Sequence, residues 1–359
     1  MIAELQRPNP RVVIVMLSAI GDAVHVLPVA NALRRAVPTM HLTWVIQPIP
    51  HILVQNHPAI DEFIIFQRRR GVSAVREFAR MRRELRRRQF DLVIDLQVYF
   101  KAGLLTWFTR SAMKLGFDRR RARDLNWLFT SHRVPARADQ HVQDQYFEFL
   151  AYLGIDHEPV EWNIAIAPEE REAQRRFFAQ IDKPVCAVVV GSSKAKKDWL
   201  AERYARLLEI IEADFHHQTV LIGGPAPRER AMAAEVKRLT QAKPLDELGD
   251  DLRRLVYIVD GCSLLVSPDT GPLHIARALE TPVVGLYGYT NPKRSGPYRK
   301  YTELIVDGYA RYPGEEYPVG MDYRSDGMQR ISVEMVLRKV ELAANRYVSG
   351  AGGISKPAT

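Results

Sequence analysis

The chain has little cysteine and no long apolar run. Cys186 and Cys262 are its only cysteines in 359 residues, and both lie in apolar stretches. Such a pair excludes a disulfide framework or a cysteine-rich metal centre and predicts buried, reduced thiols. No apolar run is long enough to span a bilayer, and residues 1–9 are largely polar, unlike a secretory signal. We therefore expect a cytoplasmic location.

Several motifs that mark common nucleotide or hydrolytic chemistry are missing. The turn Ser18–Asp22 contains one glycine, so it lacks the G-x-G-x-x-G pattern of dehydrogenases. The absence of a G-x-x-x-x-G-K-[ST] loop and of a G-x-S-x-G elbow argues against P-loop hydrolysis and a serine hydrolase. There is no Asp-x-Asp pair to bridge a metal and a diphosphate, and no plausible zinc ligand set. We therefore expect neither a metal nor a cofactor.

What the chain does have is arginine and a net charge of +9. This charge favours anionic partners, namely nucleic acid, an anionic membrane surface or a phosphorylated substrate. Arg80–Arg88 lie on a predicted helix whose apolar stripe is Val72, Val75, Phe78 and Leu85, so we interpret them as a solvated face. Arg68–Arg70 follow a strand and Arg119–Arg123 lie in a loop, where guanidinium groups suit carboxylate or phosphate.

Strand-like and helical patterns alternate in both halves, which predicts βαβ units and parallel sheets. The strand-like runs of the first half are Val12–Leu17, Leu42–Ile46, Phe63–Phe66 and Leu92–Leu96. A second series begins at Pro184, after a joining stretch over Glu158–Pro184, and a last helix is predicted over Ile331–Tyr347 with Ser332 as its cap.

Two turns between a strand and a helix are the candidate sites, because open α/β sheets bind ligands there. Asp269-Thr-Gly271 precedes Pro272, and the start of that helix could bind a phosphate. Ser18–Asp22 is the matching turn near the N-terminus. Lys197 and its neighbours follow another strand at the same predicted sheet edge. Taken alone, each feature is equally explained as a helix cap or a solvated lysine cluster.

Four segments carry a resemblance to one enzyme family. They are Ser18-Ala-Ile-Gly-Asp-Ala-Val-His-Val-Leu-Pro28, Phe90–Gln97 with Lys101, Lys197-Asp-Trp199, and Asp269-Thr-Gly-Pro-Leu-His274; Gly285–Gly288 with Thr290 and Pro292 also fits. In this order the chain resembles the ADP-heptose:lipopolysaccharide heptosyltransferases, glycosyltransferase family 9. It is most similar to heptosyltransferase I, since the cysteine-rich segment of heptosyltransferase II is absent around Gly314–Gln329.

The resemblance implies a GT-B fold, with two Rossmann-like domains whose parallel sheets face across a cleft. The acceptor would bind the N-terminal domain, residues 1–165, and the nucleotide-sugar donor the C-terminal domain, residues 166–330. A helix over 331–348 would pack back near the N-terminal domain, and 349–359 would be a disordered tail.

The resemblance also implies roles for single residues. Asp22 resembles the base that deprotonates the acceptor hydroxyl, and Lys197 the residue that holds the donor diphosphate. The implied donor site is Ser192, Ser193, Lys197, Glu229, Asp269, Thr270, Gly271 and His274. The implied acceptor site is Ser18, Gly21, His25, Arg68, Arg69, Gln97, Lys101, Arg120 and Arg123. The expected reaction is an inverting, metal-independent transfer of heptose from ADP-heptose to the lipopolysaccharide inner core, on Kdo-lipid A or a nearby core sugar.

One departure and two alternatives stay open. The family's carboxylate for the nucleotide ribose aligns with Pro227, and Glu229 follows two residues later. The enzyme could therefore use another nucleotide sugar, as a transferase or an epimerase. The alternative of another class is a basic nucleic-acid-binding protein, although few aromatic residues interleave the arginines. A membrane-anchored acceptor predicts peripheral association with the cytoplasmic face of the inner membrane.

Overall fold

The protein is described here by a computed structural model that covers residues 2–348. The chain divides into two compact units, Met1–Ala165 and Ile166–Thr359, which we name the first and the second unit. Each unit contains one six-stranded parallel sheet. The predicted α/β class with two Rossmann-like sheets is confirmed. The predicted tail at 349–359 lies outside the described residues.

The first unit is built around a sheet in the order β3-β2-β1-β4-β5-β6. Its strands are β1 Arg11–Val15, β2 His41–Ile46, β3 Glu62–Ile65, β4 Leu92–Asp95, β5 Met113–Gly116 and β6 His132–Arg133. Its helices are α1 Ile20–Ala36, α2 Pro48–Val54, α3 Val72–Arg86, α4 Phe100–Phe108 and α5 Val142–Leu153, with 3-10 helices at Ala3–Leu5 and Asn126–Phe129. The central strands read as continuous apolar runs because helices cover both faces of the sheet.

Helix α3 differs from its predicted apolar stripe. Met81 and Leu85 are fully buried, and Phe78 packs against the same core cluster. Val72 and Val75 were predicted to belong to this stripe, but they are about 70% exposed. The first turn of α3 therefore projects beyond the core that its second half joins.

The second unit repeats the plan in the order β12-β11-β10-β7-β8-β9. Its strands are β7 Val185–Val189, β8 Gln218–Ile222, β9 Leu245–Asp246, β10 Leu264–Pro268, β11 Val283–Tyr287 and β12 Ile305–Asp307. Its helices are α6 Pro168–Phe178, α7 Ala201–Ala213, α8 Pro227–Leu239, α9 Leu252–Gly261, α10 Gly271–Ala278, α11 Pro292–Ser295, α12 Gly327–Arg330 and α13 Val333–Ala343. Shorter turns are the 3-10 helices Ala195–Lys197 and Thr302–Leu304 and the π-helix Ala344–Val348.

Two segments of the second unit refine the predicted boundaries. The joining stretch contains a helix, α6, which packs against α9 of the same unit. The last helix begins after Ser332, whose hydroxyl accepts the N–H of Met335, as the cap prediction requires. Within the second unit α13 packs against α7 and β11. Its predicted return toward the N-terminal domain stays a prediction.

In both sheets the first and fourth strands of the unit are neighbours, β1 beside β4 and β7 beside β10. The connections that follow these two neighbouring strands run toward opposite edges of the sheet. The place where the direction changes is the topological switch point, and it forms a crevice at the carboxyl ends of the strands. The loops that follow these four strands are therefore the places to look for ligand-binding groups. Among the described residues, none of the helices has the length and apolar character needed to cross a bilayer.

Candidate functional site

At the first switch point, the side-chain amide of Gln97 connects the segments that follow β4 and β1. Gln97 follows β4, and its Oε1 accepts the N–H of Leu17 at 2.9 Å while its Nε2 donates to the carbonyl of Ser18 at 2.6 Å. Both bonds reach backbone that follows β1. Gln97 thus fixes the turn in front of α1 and keeps one further amide N–H for another partner. Its predicted contact with the acceptor stays a prediction.

Asp22 lies in the first turn of α1, directly after this fixed turn. Its Oδ2 accepts the backbone N–H of Ala19 at 2.8 Å, so the carboxylate closes the N-terminus of the helix. Gly21 and Asp22 are half-buried. A carboxylate that accepts hydrogen bonds at the start of a helix is of the residue type that serves as a general base.

His25, one turn further on, is turned into the core. It is 4% exposed, and its Nδ1 lies 2.9 Å from Oε1 of Gln143 on α5. Gln143 returns a bond from its Nε2 to the carbonyl of His25 at 2.9 Å. These contacts give His25 a packing function between α1 and α5. No contact tests its predicted role toward the acceptor.

The remaining acceptor candidates lie on two loops. Arg68 and Arg69 are exposed and follow β3, the edge strand, two strands away from β1. Lys101, Arg120 and Arg123 are exposed on or beside α4, where the N–H of Arg123 donates to Val98 at 2.7 Å. The structure thus groups these three, and it sets Arg68 and Arg69 apart from them.

Arg121, inside the same arginine run, is structural. Its guanidinium pairs with Asp118 and, at 2.7 Å, with both carboxylate oxygens of Glu148. Its side chain is 9% exposed. Burial lowers the pKa of Arg121, but these two carboxylates outweigh burial, and the net shift is upward.

Asp95 lies behind the Gln97 turn as a fully buried carboxyl group. It accepts hydrogen bonds from the N–H of Gln97 at 3.2 Å, from Thr106 at 3.0 Å and from Asn126 at 3.0 Å. Burial raises the pKa of Asp95 to about 7, and these three bonds lower it only in part. The complete burial of Asp95 fits a supporting role, in which it holds the Gln97 turn, better than a role as acid or base.

At the second switch point, an ion pair between Lys197 and Asp269 connects the loops that follow β7 and β10. Lys197, at the end of the 3-10 helix after β7, donates from Nζ to the carbonyl of Asp269 at 2.7 Å and to its Oδ2 at 2.8 Å. Asp269 follows β10. Two of the three ammonium donors are thereby used, and one is left for a ligand.

Asp269 collects donors from several elements. Its Oδ2 also accepts the hydroxyl of Thr290 at 2.7 Å, and Nε2 of His274 lies 3.4 Å from Oδ1. Burial by itself would raise the pKa of Asp269, but Lys197 and His274 hold it well below its ordinary value. Asp269 is therefore a permanently charged anchor that aims Lys197 and His274, and it does not itself suit an anionic ligand.

A second buried network shapes the loop after β7. The hydroxyl of Ser192 lies 2.7 Å from the carbonyl of Lys194 and 2.9 Å from Oδ1 of Asp198. Arg228 bonds both Asp198 and the carbonyl of Ser192. Ser192 is 4% exposed, whereas Ser193 is exposed. Ser192 thus holds the loop, and the hydroxyl of Ser193 faces solvent.

Helix α10 begins at Gly271, with Pro272 in its first turn and Thr270 as the residue before it. No side chain caps this N-terminus, since the hydroxyl of Thr270 is bonded to Ser267 at 3.0 Å. The N–H of Leu273 donates to the carbonyl of Thr270 at 3.2 Å and Pro272 has none, so the N–H of Gly271 is the group of α10 that an anion beside Lys197 could reach.

Glu229 lies in the first turn of α8, against the ends of β7 and β8. A side chain at Gly224 would meet its Oε2 at 2.6 Å, and one at Gly191 would meet its Cγ at 3.1 Å. Both glycines are needed for this close approach, and Gly191 also has a φ of +89°. A carboxylate thus lies at this sheet edge even though Pro227 occupies the expected position.

Sequence reasoning missed Thr290, Asp198 and Arg228 as site-forming residues. Thr290 follows β11, the neighbour of β10, so the strand-end rule applied to every strand would have found it. Asp198 and Arg228 meet across 30 residues of chain, a pairing that no local pattern indicates. Within the described residues no group of three or more His, Cys, Asp or Glu is arranged to hold a metal.

Comparisons with known proteins agree with this geometry. The family model of glycosyltransferase family 9 (heptosyltransferase) matches residues 78–318. The lipopolysaccharide core heptosyltransferase OpsX of Haemophilus influenzae is 31% identical over 294 residues, 81% of this chain and 83% of that protein.

Two solved structures share the fold. A family 9 glycosyltransferase from Veillonella parvula has a TM-score of 0.80 at 25% identity, covering 94% of this chain and 98% of that one. The E. coli heptosyltransferase WaaC with ADP-2-deoxy-2-fluoro heptose has a TM-score of 0.70 at 24% identity, covering 92% and 99%. Because the family model matches well over half of the chain, the protein belongs to glycosyltransferase family 9, the heptosyltransferases, and is a glycosyltransferase enzyme.

Proposed function

We propose that the protein transfers heptose from ADP-heptose to the lipopolysaccharide inner core, on Kdo-lipid A or a nearby core sugar. The observation that carries this proposal is the Lys197–Asp269–His274 cluster at the open N-terminus of α10. In a member of this family, such a cluster fits the diphosphate of a nucleotide-sugar donor.

The donor site works by neutralising the leaving group. As the bond between the anomeric carbon and the diphosphate breaks, negative charge grows on the departing ADP. The free ammonium donor of Lys197 and the N–H of Gly271 can meet that charge. Asp269 stays charged at all physiological pH values, because its pKa is held low, and it keeps Lys197 and His274 in place. In this proposal no metal is needed.

On the acceptor side Asp22 is the proposed general base. The acceptor hydroxyl attacks the anomeric carbon as its proton passes to the carboxylate of Asp22, and ADP leaves from the opposite face. The configuration at the anomeric carbon is inverted. The turn fixed by Gln97 keeps the carboxylate at the start of α1 while this transfer occurs.

The donor identity draws on relatives and on Glu229. WaaC is named as a complex with an ADP-heptose analogue, and the Haemophilus influenzae relative is named for the lipopolysaccharide core. Glu229 supplies the carboxylate for the nucleotide ribose from two residues beyond Pro227, through its approach to Gly191 and Gly224. Because every ribonucleotide carries this ribose, Glu229 supports a nucleotide site, and the choice of ADP draws on the names of these relatives. A lipid-linked acceptor further implies peripheral association with the cytoplasmic face of the inner membrane.

Nucleotide binding measured by calorimetry tests the donor half of this proposal. We expect ADP to bind more tightly than UDP or GDP, and Lys197→Ala to weaken ADP binding by roughly 10-fold or more, as expected for a charge-assisted contact. Lys196→Ala is the matched control, because Lys196 is exposed on the same short helix and should leave binding unchanged. A preference for UDP or GDP would discard ADP-heptose, and equal effects of the two variants would discard the diphosphate site.

A further inference from the structure

The face formed by α4, the 3-10 helix Asn126–Phe129 and the turns before them carries apolar side chains outside the core. We name this set the α4 patch: Tyr99, Phe100, Trp107, Leu125 and Leu128. Their exposed fractions are 46%, 44%, 51%, 55% and 55%. Single exposed apolar residues are ordinary in soluble proteins, but a contiguous group on one surface marks a site of interaction.

The patch belongs to one rigid platform. The rings of Phe100 and Phe129 pack edge to face, with centroids 5.4 Å apart. Asn126 and Phe129 cover Gly103 so closely that a Cβ there would lie 2.4 Å from the Phe129 ring. The amide of Asn126 also donates to the carbonyl of Tyr99 at 3.1 Å. The two helices therefore present their exposed apolar side chains together.

Cations surround the patch. The guanidinium of Arg119 lies 4.5 Å from the ring centroid of Trp127, and that of Arg133 lies 5.8 Å from it. Lys114 donates to the carbonyl of Trp107 at 3.3 Å. Residues 98–137 contain nine Lys or Arg against two Asp or Glu. One of those two acids, Asp118, is already neutralised by Arg121.

Helix α3 extends this basic rim. This helix packs against α4. Its Arg82, Arg83, Arg86 and Arg87 line one shallow depression. The exposed Val72 and Val75 begin the same helix. Helix α3 therefore adds basic residues beside α4.

We infer that the α4 patch docks the protein on an anionic lipid bilayer, with its apolar side chains in the headgroup region and its arginines on the lipid phosphates. This inference rests on the proposed function, which places the acceptor in a membrane. Aromatic and leucine side chains surrounded by cations are the composition of interfacial anchors. A nucleic acid could stack on Tyr99, Phe100 and Trp107, but it fits less well because the exposed Leu125 and Leu128 offer no stacking face. Arg119 also covers the face of Trp127.

Vesicle flotation of the full-length protein tests the inference. We expect it to float with vesicles of phosphatidylcholine and phosphatidylglycerol, not with phosphatidylcholine alone, and to be partly released by high salt. Leu125→Ser combined with Leu128→Ser should lower the partition coefficient by roughly 10-fold, because the apolar contact with the bilayer is lost. Arg119→Gln with Arg133→Gln should lower it by roughly fivefold or more for each charge near the surface.

Matched controls separate the patch from general surface effects. Ile49→Ser and Tyr312→Ser remove apolar side chains that are 62% and 63% exposed elsewhere, and Arg175→Gln with Arg238→Gln removes exposed charges of the second unit. These controls should float like the wild type. If the leucine variant floats like the wild type, or if single-stranded nucleic acid binds with the same sensitivity to Leu125 and Leu128 while vesicles do not, the inference is overturned.

A transfer assay on a delipidated, soluble acceptor keeps the two proposals apart. The leucine variant should transfer sugar to this acceptor at the wild-type rate, since neither Leu125 nor Leu128 belongs to the proposed donor or acceptor site. A wild type that transfers but does not float would reject the docking surface and leave the proposed function standing. A wild type that floats through the patch but transfers no heptose would reject the proposed function and leave the docking surface standing.

Discussion

The two switch points of this protein share a topology and differ in how their loops are held. In the first unit a neutral amide, Gln97, fixes the backbone after β1, and the carboxylate of Asp22 accepts the N–H of Ala19 at the start of α1. In the second unit the buried carboxylate of Asp269 contacts Lys197, His274 and Thr290. In our proposal the same sheet edge presents a proton acceptor in one unit and an anion site in the other. Function follows from the charge of the loop residues and not from the fold.

Removing the proposed base should have the largest effect on catalysis. Asp22→Asn keeps an oxygen that can accept the N–H of Ala19, so the start of α1 should form normally. The loss of a proton acceptor should lower turnover by about 10²–10⁴-fold. Steady-state transfer kinetics measure the loss of turnover, and a thermal melt measures whether the stability of the fold is unchanged.

Asp22→Ala is the matched control for the helix cap. It removes both the base and the bond to Ala19, so it should match the activity loss and also lower the free energy of unfolding by about 1 kcal/mol. Wild-type turnover in Asp22→Asn would reject the assignment of the base.

Neutralising the anchor of the second unit should have the next largest effect, this time on stability. Asp269→Asn leaves Lys197 without its buried counter-charge, and the free energy of unfolding of this unit should fall by about 3 kcal/mol. Because the native pKa of Asp269 is depressed, its contribution is present above the ordinary carboxyl range and is lost only as the pH falls below that range. Urea unfolding at neutral pH measures the loss.

The double variant Asp269→Asn with Lys197→Met sharpens that test. It removes both charges together, so it should be more stable than Asp269→Asn alone, although ADP binding should stay weak. Strictly additive losses of stability would contradict a buried ion pair.

Removing the side-chain amide of Gln97 should have a smaller effect than the loss of Asp22 or of the Asp269 charge. Gln97→Leu deletes the bonds to Leu17 and Ser18 but no charge, so the turn before Asp22 should loosen and kcat should fall by roughly 10-fold. The affinity for ADP should not change, because the donor loops belong to the second unit. A parallel fall in ADP affinity would show that the variant damages more than the turn.

Much of this fold could be predicted from the sequence because continuous apolar strands and capped helices carry strong local signals. The turns at Asp22 and Asp269 were found for the same reason, since each joins a buried strand to an apolar helix. Helix α6 was taken as part of the joining stretch because it buries none of its residues fully and so lacks an apolar period. Strand β6 has two residues, both exposed, and only its pairing with β5 defines it.

The site was harder to predict than the fold because its bonds are long-range. Gln97 was expected at the acceptor, but the bonds that fix its amide reach Leu17 and Ser18, about eighty residues earlier. Asp269 was expected at the donor site, and its side chain contacts Lys197, His274 and Thr290 of the same unit. In both cases the sequence indicates which residues carry chemistry. Only the packing of neighbouring strands decides which of them touches a ligand and which supports it.

The smallest expected effect on catalysis belongs to Asp95, whose burial makes it a reporter of pH. Its native pKa of about 7 lies above the ordinary carboxyl value, so between roughly pH 4 and 7 the folded chain holds a proton that the unfolded chain releases. The free energy of unfolding should therefore fall as the pH rises through this window, by up to about 1.4 kcal/mol per pH unit. Asp95→Asn should abolish this slope and leave turnover within about twofold. Urea unfolding of both proteins at several pH values across the window measures it, and parallel profiles would show that Asp95 is ionised in the native state.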